Sequence, residues 1–419
     1  MNPVFVHAAD LHLGAPLRSL GEGLTDEAKA ELLKLVEKAF DNLVDRTIEY
    51  NAEFIVLAGD IYDSAENDAK AQLRFSRGLR KLLDNGIGVY IVHGNHDPML
   101  VKGRGTVVAK LPDGVHRFEP GSVQSVVHQL RNGGSVTVAG VSFANKDESE
   151  NLALQFDSVE RGTSQAIIGV LHTNVGGATG DSNSGHANYA PCKESDLRNS
   201  PVDYWALGHV HKRSVKAMGD NRYWAYPGNL QGRDAGEPGE KGALVVEILA
   251  DGVGEPQFFS CDEIRFNQFV LDCSPVEDIP GITALLEEAL SEIDHQLPVV
   301  CRLKLTGSTA AHNAITKTVS KVILEWLHNA SKELLNGGYI EKIENLTTPP
   351  LDIEFLRNED DLLGDLLTWI SSAQRRDVLE LVGQEALLGT DPETINQLLQ
   401  QIQNAFLSDL LTEDEDESE

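Results

Sequence analysis

The first hundred residues repeat one alternation of apolar and polar positions. A short apolar run, "VFVHAAD", ends on an acid at Asp10. The segment "TDEAKAELLKLVEKAFDNLVDRTIEY" then spaces its apolar positions three and four apart. Leu32, Val36, Ala39, Leu43 and Thr47 share one face, with Leu33, Phe40, Val44 and Ile48 beside it. That period predicts a helix, opened by a cap at Thr25. "FIVLAGD" reads as a second buried strand ending on an acid, and a helix is predicted over roughly 66–85. "IGVYIV" is a third strand, followed at once by "GNHDP". Strand and helix in turn predict a parallel or mixed sheet covered by helices.

Beyond residue 100 the pattern becomes richer in strands. "SVTVAG", "AIIGVLH", "YWALGHVH", "RYWAYPG" and "ALVVEIL" are short runs bounded by glycine and polar residues. They predict a second sheet packed on the first, with helices outside. "TNVGGATGDSNSGHANY" is a long irregular loop of a kind that is often functional. Near residue 265 the texture changes. "NQFVLDCS", a helix around 278–295, "VVCRLKLTG" and a helix around 312–335 suggest a small α+β unit. After "TTPP" the chain reads as helical, in "DLLGDLLTWISSA" and "DPETINQLLQQIQNAFLSDLL". The fold class is α/β (α+β), with expected domains at 1–264 and 265–350, a helical segment at 351–412 and a disordered acidic tail at 413–419.

Composition narrows the setting. An apolar content of 41% supports a full core, and 419 residues suit two or three domains. The four cysteines lie far apart with no CxxC pair, which argues against a disulfide frame or zinc ribbon and for a reducing compartment. The first residues enter a strand without a leader pattern, and no run approaches the ~18–20 apolar residues that span a bilayer. A soluble cytoplasmic protein without membrane contact is expected. The net charge of −30 argues against a surface that binds nucleic acid everywhere. A polyanionic substrate would have to be held locally, by metals, by a small basic patch, or with a partner's help.

Candidate chemistry gathers at the strand ends. They carry Asp10-Leu11-His12, Gly59-Asp60, Gly94-Asn95-His96-Asp97, Leu171-His172 and Gly208-His209-Val210-His211. Ligands collect at the carboxyl ends of strands in α/β sheets, so these groups can converge across 200 residues. Two aspartates, an asparagine and four histidines form a set of hard oxygens and imidazoles without thiolates. Such a set suits manganese, iron, zinc or magnesium. In extended backbone, D-x-H and H-x-H would each turn both side chains to one side. Two bridged metals about 3.5–4 Å apart would serve phosphate-ester hydrolysis best.

The ordered set "DLH", "GDIYD", "GNHD", "LH" and "GHVH" resembles the calcineurin-like metallophosphoesterase superfamily over about residues 1–260. The resemblance implies a two-sheet sandwich flanked by helices around a dinuclear metal centre. One metal would be held by Asp10, His12, Asp60 and His211, the other by Asp60, Asn95, His172 and His209, with Asp60 as the bridge. His96 would be the general acid, and Asp97 would orient it. "GDIYDSAEN" lacks the arginine that phosphoprotein phosphatases carry after this motif. "HAADLHLGAPL" and "GDIYDSA" are instead similar to DNA-repair nucleases of the bacterial SbcD type, and "VLHTNV" and "YPGNLQGR" to the YhaO-like group. This likeness implies a DNA exonuclease or endonuclease, dimeric and 3′ to 5′ in polarity. Two divalent ions are implied, manganese first, with magnesium, iron or zinc as alternatives. A capping domain would follow the catalytic one, and residues 351–412 would dock on the coiled-coil root of an SMC-like ATPase. Archaeal and eukaryotic relatives place a histidine where this chain has Asp63, so their cleavage activities do not transfer. The rival readings are a small-molecule phosphodiesterase or phosphatase using the same metals, and a non-catalytic scaffold.

Other signals are weaker. Lys102 and Arg104, in a glycine-punctuated loop, and Arg233 in "YPGNLQGRD" are candidate phosphate contacts. Lys212 and Arg213 stand evenly between that role and a solvated loop. His7 and His93 read as packed or turn residues, His93 with an option on substrate. His116, His128, His295, His312 and His328 read as surface or core positions. Near 394–411, Ile395, Leu398, Leu399, Ile402, Ala405, Phe406, Leu410 and Leu411 form an apolar helix face suited to a partner's groove.

Overall fold

A computed structural model describes residues 2–15, 26–63, 69–99, 110–176, 189–291, 296–317, 329, 335–336 and 338–350. The chain opens with β1 (Val4–Ala8), α1 (Asp26–Glu49), β2 (Phe54–Ala58), α2 (Ala69–Asp84), β3 (Gly88–Val92) and β4 (Val115–Arg117). The four strands pair in parallel in that order. A second sheet follows, from β5 (Gln124–Gln129), β6 (Ser135–Gly140), a 3₁₀ turn (Leu152–Ser158), β7 (Ile167–His172), α3 (Glu194–Asn199), β8 (Tyr204–Gly208), β9 (Ser214–Gly219) and β10 (Arg222–Tyr226). Its spatial order is β5-β6-β7-β8-β10-β9, with parallel pairing from β6 through β8 to β10. β11 (Gly242–Leu249) returns to the first sheet antiparallel to β1, with β12 (Gly252–Val253) and β13 (Gln257–Ser260) paired to it.

The central strands are apolar at nearly every position because both of their faces are covered. Strand alternation divides β2 between two cores. Phe54, Val56 and Ala58 face Val138, Ile168, Val170, Tyr204 and Ala206 of the second sheet. Ile55 and Leu57 face Phe40, Leu43, Phe75 and Leu79 of α1 and α2. On the far side, Leu171, Trp205 and Leu207 pack on Phe156, Leu197 and Tyr226. The layers are therefore helix, sheet, sheet, and a thinner outer cover. The helix expected from 26 matches α1, and Leu32, Ala39, Phe40, Leu43, Val44 and Thr47 are all buried. Leu33 is exposed, at the margin of the stripe. Thr25, its expected cap, lies outside the described residues.

The chain continues through β14 (Arg265–Asp272), α4 (Ile279–Ser291), β15 (Val299–Ser308), α5 (His312–Lys317) and β16 (Tyr339–Thr348). These strands form a third sheet in the order β14-β15-β16. α4 buries Ile282, Leu286 and Leu290, spaced four apart as one helix face requires. The described chain divides into two compact units. Among described residues, the first takes those within 2–268, 296–301 and 335–341. The second, likewise among described residues, takes 269–291, 302–317, 329 and 342–350. The helical segment expected at 351–412, the acidic tail, and most of the helix expected at 312–335 lie outside the described residues. All four cysteines are buried and unpaired. Among the described residues, no helix is long and apolar enough to cross a membrane.

Candidate metal centre

The strand ends of both sheets deliver Asp10, His12, Asp60, Asn95, His172, His209 and His211 to one place, all buried. The loops after β1 and β2 stay zipped past the strands, through Asp10 N to Gly59 O at 3.1 Å and His12 N to Asp60 O at 3.0 Å. The backbone at this point is left-handed and not extended. Asp10 has φ 51°, His12 43°, Asp60 48° and His209 104°. Side chains rarely adopt this region, and each instance costs about 1–3 kcal/mol. Four such residues at one spot mark a site held open by its surroundings. The expectation that D-x-H and H-x-H present both side chains through extended backbone is corrected here. β1 ends at Ala8 and β8 at Gly208, before either pair begins.

Hydrogen bonds orient each donor. His209 N–H donates to both Asp10 carboxylate oxygens, at 3.0 and 3.1 Å. His172 is fully buried, with Nδ1 2.9 Å from the Ala58 carbonyl and Nε2 3.0 Å from Asn95 Oδ1 and 3.4 Å from Asp60 Oδ2. His211 Nδ1 lies 2.6 Å from Glu237 Oε1. Its Nε2 meets His12 Nε2 at 3.1 Å. His12 Nε2 is also 3.9 Å from Asp60 Oδ2, and its Nδ1 makes a long 3.4 Å contact with Asp63 Oδ1. Ligand atoms of Asp10, His12 and His211 come within 4.8 Å of one another. Those of Asp10, Asp60 and His172, and of His12, Asp60 and His96, do the same.

This donor set fits divalent cations. A carboxylate can only accept, so His211 gives its proton at Nδ1 to Glu237 and aims the Nε2 lone pair at His12. Two imidazole nitrogens at 3.1 Å, with Asp60 beside them, are placed where they can share a hydrogen bond or ligate one divalent cation. Electrostatics agree. Burial lifts the Asp10 carboxyl to about 6, against the pull of His211 and His172. Burial opposes charge on His172, but Asp60 and Asp10 outweigh it and hold the ring up at about 9. For Asp60, burial is again outweighed, chiefly by His172, and its carboxyl sits well below the usual range. His12 is pushed down to about 4 by burial, so it is neutral and ready to ligate near pH 7. His7 is also buried neutral, held by Tyr204 Oη and the Leu207 carbonyl as a packed residue.

His96 lies at the rim, its side chain 34% exposed where the other rings are buried. Its backbone N–H donates to Asp60 Oδ1 at 2.9 Å, and its Nδ1 lies 3.0 Å from the Asp63 carbonyl. Asp97, expected to orient His96, makes its hydrogen bonds to other groups. Asp97 accepts from Gly94 N at 2.9 Å and Ile61 N at 3.0 Å, and meets His93 Nδ1 at 3.0 Å. The loop turns so tightly after Gly94 that the Asp97 carboxylate folds back over the preceding strand end. His93 is therefore tied to Asp97. Arg233 stands beside the site, with Nη1 3.3 Å from Asp63 and Nη2 3.2 Å from His211 Nδ1. Arg213 stacks on Phe258 instead. Lys102 and Arg104 lie outside the described residues. Sequence reading missed Glu237 and Asn229, because acids and amides in a glycine-rich loop carry no signature until the fold brings them to His211.

Glycines make room for this packing. A Cβ on Gly208 would overlap the Ala58 carbonyl oxygen, the same oxygen that His172 Nδ1 meets. Gly208→Ala is expected to cost about 1–3 kcal/mol by overpacking, read from urea unfolding. A loss below about 0.5 kcal/mol, the range of bland surface changes, would show that the two sheets do not approach so closely.

The sequence comparisons agree with this geometry. The calcineurin-like phosphoesterase family matches residues 3–213, and the middle domain of metallophosphoesterase YhaO matches residues 266–348. The chain is 28% identical over 391 residues to metallophosphoesterase YhaO of Bacillus subtilis (strain 168), covering 90% of this chain and 89% of that one. It is 25% identical over 234 residues to the DNA double-strand break repair protein Mre11 of Methanocaldococcus jannaschii, covering 54% of this chain and 56% of the relative. Over 409 residues it is 19% identical to the Mre11 protein of Sulfolobus acidocaldarius, covering 94% and 97%. With half of its length matched by that family and its strand-end acids and histidines gathered as described, the chain belongs to the calcineurin-like metallophosphoesterases, in the branch that holds YhaO and the Mre11 DNA-repair proteins.

Proposed function

We propose that this metal-dependent phosphoesterase is a two-metal DNA nuclease, working as the catalytic subunit of a complex with an SMC-like ATPase. The observation that supports this best is the facing pair His12 Nε2 and His211 Nε2 at 3.1 Å, with Asp60 between this pair and His172. In this reading Asp10, His12, Asp60 and His211 hold one divalent ion. Asp60, Asn95, His172 and His209 hold the other, and manganese is the expected metal. When bound, the ions supply Lewis acidity at the phosphoryl group and a hydroxide near neutral pH. The chain supplies the rest. Asp60 keeps both positions charged and holds the His96 loop through its backbone N–H. His96 directs Nδ1 to the Asp63 carbonyl, leaving Nε2 at the exposed rim to deliver a proton to the departing 3′-oxygen.

DNA as substrate is supported by similarity to proteins named for double-strand break repair. Residues 351–412 are the proposed ATPase dock, and the working assembly is a homodimer. A second reading, a small-phosphodiester hydrolase, is favoured by charge. The chain carries −30, and Lys70, Arg74 and Lys81 of α2 are paired with Glu37, Asp41 and Asp45 of α1. Purified protein with manganese should cut single-stranded DNA, and faster with the ATPase present. Turnover of bis-p-nitrophenyl phosphate alone, even with the ATPase, would establish the small-substrate reading instead. If metals bind and neither substrate is cut, the scaffold reading stands.

A further inference from the structure

Three residues of one loop reach behind the His211 ring. Glu237 has both oxygens occupied. Oε1 meets His211 Nδ1 at 2.6 Å and Arg233 Nη2 at 3.4 Å. Oε2 accepts from Asn229 Nδ2 at 2.7 Å and Arg233 N at 2.9 Å. Arg233 Nη1 reaches across to Asp63 Oδ1 at 3.3 Å, and that oxygen lies 3.4 Å from His12 Nδ1. One guanidinium therefore joins the two carboxylates that stand behind two facing imidazoles. The group is poorly solvated, with side chains 8% exposed at Asp63, 13% at Glu237 and 23% at Arg233. His172 is backed differently, since its Nδ1 bonds to the neutral carbonyl of Ala58 at 2.9 Å and has Asp10 Oδ1 only at 4.0 Å.

We propose that Arg233, Asp63 and Glu237 form a positioning clamp that makes the His12–His211 position the tighter of two unequal metal positions. The proposal rests on the two-metal reading. A carboxylate behind an imidazole fixes its tautomer and ring plane more firmly than a neutral carbonyl does. Two carboxylates alone would repel each other in this buried place. Arg233 holds them at the separation that the two rings require. The ion at His172 is then the exchangeable one, and the centre is assembled in order. Arg233 acts through its neighbours, as a positioning residue and not as a phosphate contact.

The test is calorimetric titration of the metal-stripped full chain with Mn²⁺ alone, checked by elemental analysis. The wild type should bind two ions in two phases. Glu237→Gln and Arg233→Met should each weaken the tighter phase by about 10–100-fold and leave the weaker phase within about threefold. Arg233→Lys, which keeps a cation, should recover part of the loss. An unchanged tighter phase, or equal weakening of both phases, overturns the clamp. Should Glu237→Gln fail to fold by circular dichroism, the partly exposed Arg233 variants decide alone. A wild type that binds two ions in one indistinguishable phase overturns the inequality and spares the two-metal reading. Binding of fewer than two ions removes that reading itself, and the clamp with it.

Discussion

Asp60→Asn should lower manganese-dependent phosphodiester cleavage by at least ~10³-fold, about 4 kcal/mol in the barrier, and reduce the bound metal below two ions per chain. Asp60 is within reach of both halves of the site, 3.4 Å from His172 Nε2 and 3.9 Å from His12 Nε2. Asparagine keeps the volume and can still accept the His96 N–H bond, so the loop is expected to stay in place. It loses the charge on which both positions depend. Metal-stripped protein offers a second readout. His172 is held at about 9 against an ordinary value of 6.5. A raised histidine contributes stability that is complete below about 6.5 and lost as pH rises through about 9. Asp60 itself, held low, contributes above the ordinary carboxylate range and is constant in that window. The wild-type melting temperature should therefore fall toward that of Asp60→Asn between pH 6.5 and 9, and the difference between the two curves isolates the pair. Cleavage by Asp60→Asn within about tenfold of wild type would remove the shared carboxylate from the chemistry.

His96→Ala is the second large effect, and its signature depends on the leaving group. Loss of a general acid costs about 10²–10⁴-fold when the departing oxygen is a poor leaving group, as in a DNA strand. A nitrophenolate departs readily without a proton, so bis-p-nitrophenyl phosphate hydrolysis should fall by less than about tenfold. Metal content should stay at two. The neighbourhood allows a different outcome, since a ring nitrogen of His96 lies within 4.8 Å of ligand atoms of His12 and Asp60. If His96→Ala loses a metal ion, or loses both activities equally, His96 is a ligand and the acid must be found elsewhere.

Much of this architecture was legible along the chain because its central strands are buried on two faces. Runs such as Phe54–Ala58 and Tyr204–Gly208 have no polar position to confuse with a loop, and α1 declares its face through residues three and four apart. The short or half-exposed elements were not legible. β5 alternates partly buried and exposed positions at a sheet edge, and β12 is two residues long. Neither holds enough apolar pattern to stand out from its turns. The same limit explains Glu237, whose role depends on a ring that lies 26 residues away.

The strand-end motifs determined, from sequence alone, which side chains would take part: hard oxygen and imidazole donors that follow strands in an ordered set. Their chemistry is a property of residue type, and residue type is what a sequence contains. Tertiary structure alone decided how they meet. It put Asp10, His12, Asp60 and His209 in left-handed backbone where extended strand was expected, and sent Asp97 to His93 and not to His96. It also gave Arg233 two carboxylates to hold. Those outcomes depend on where two sheets crowd together and which buried polar atoms must be satisfied there, and neither can be read from spacing along one chain.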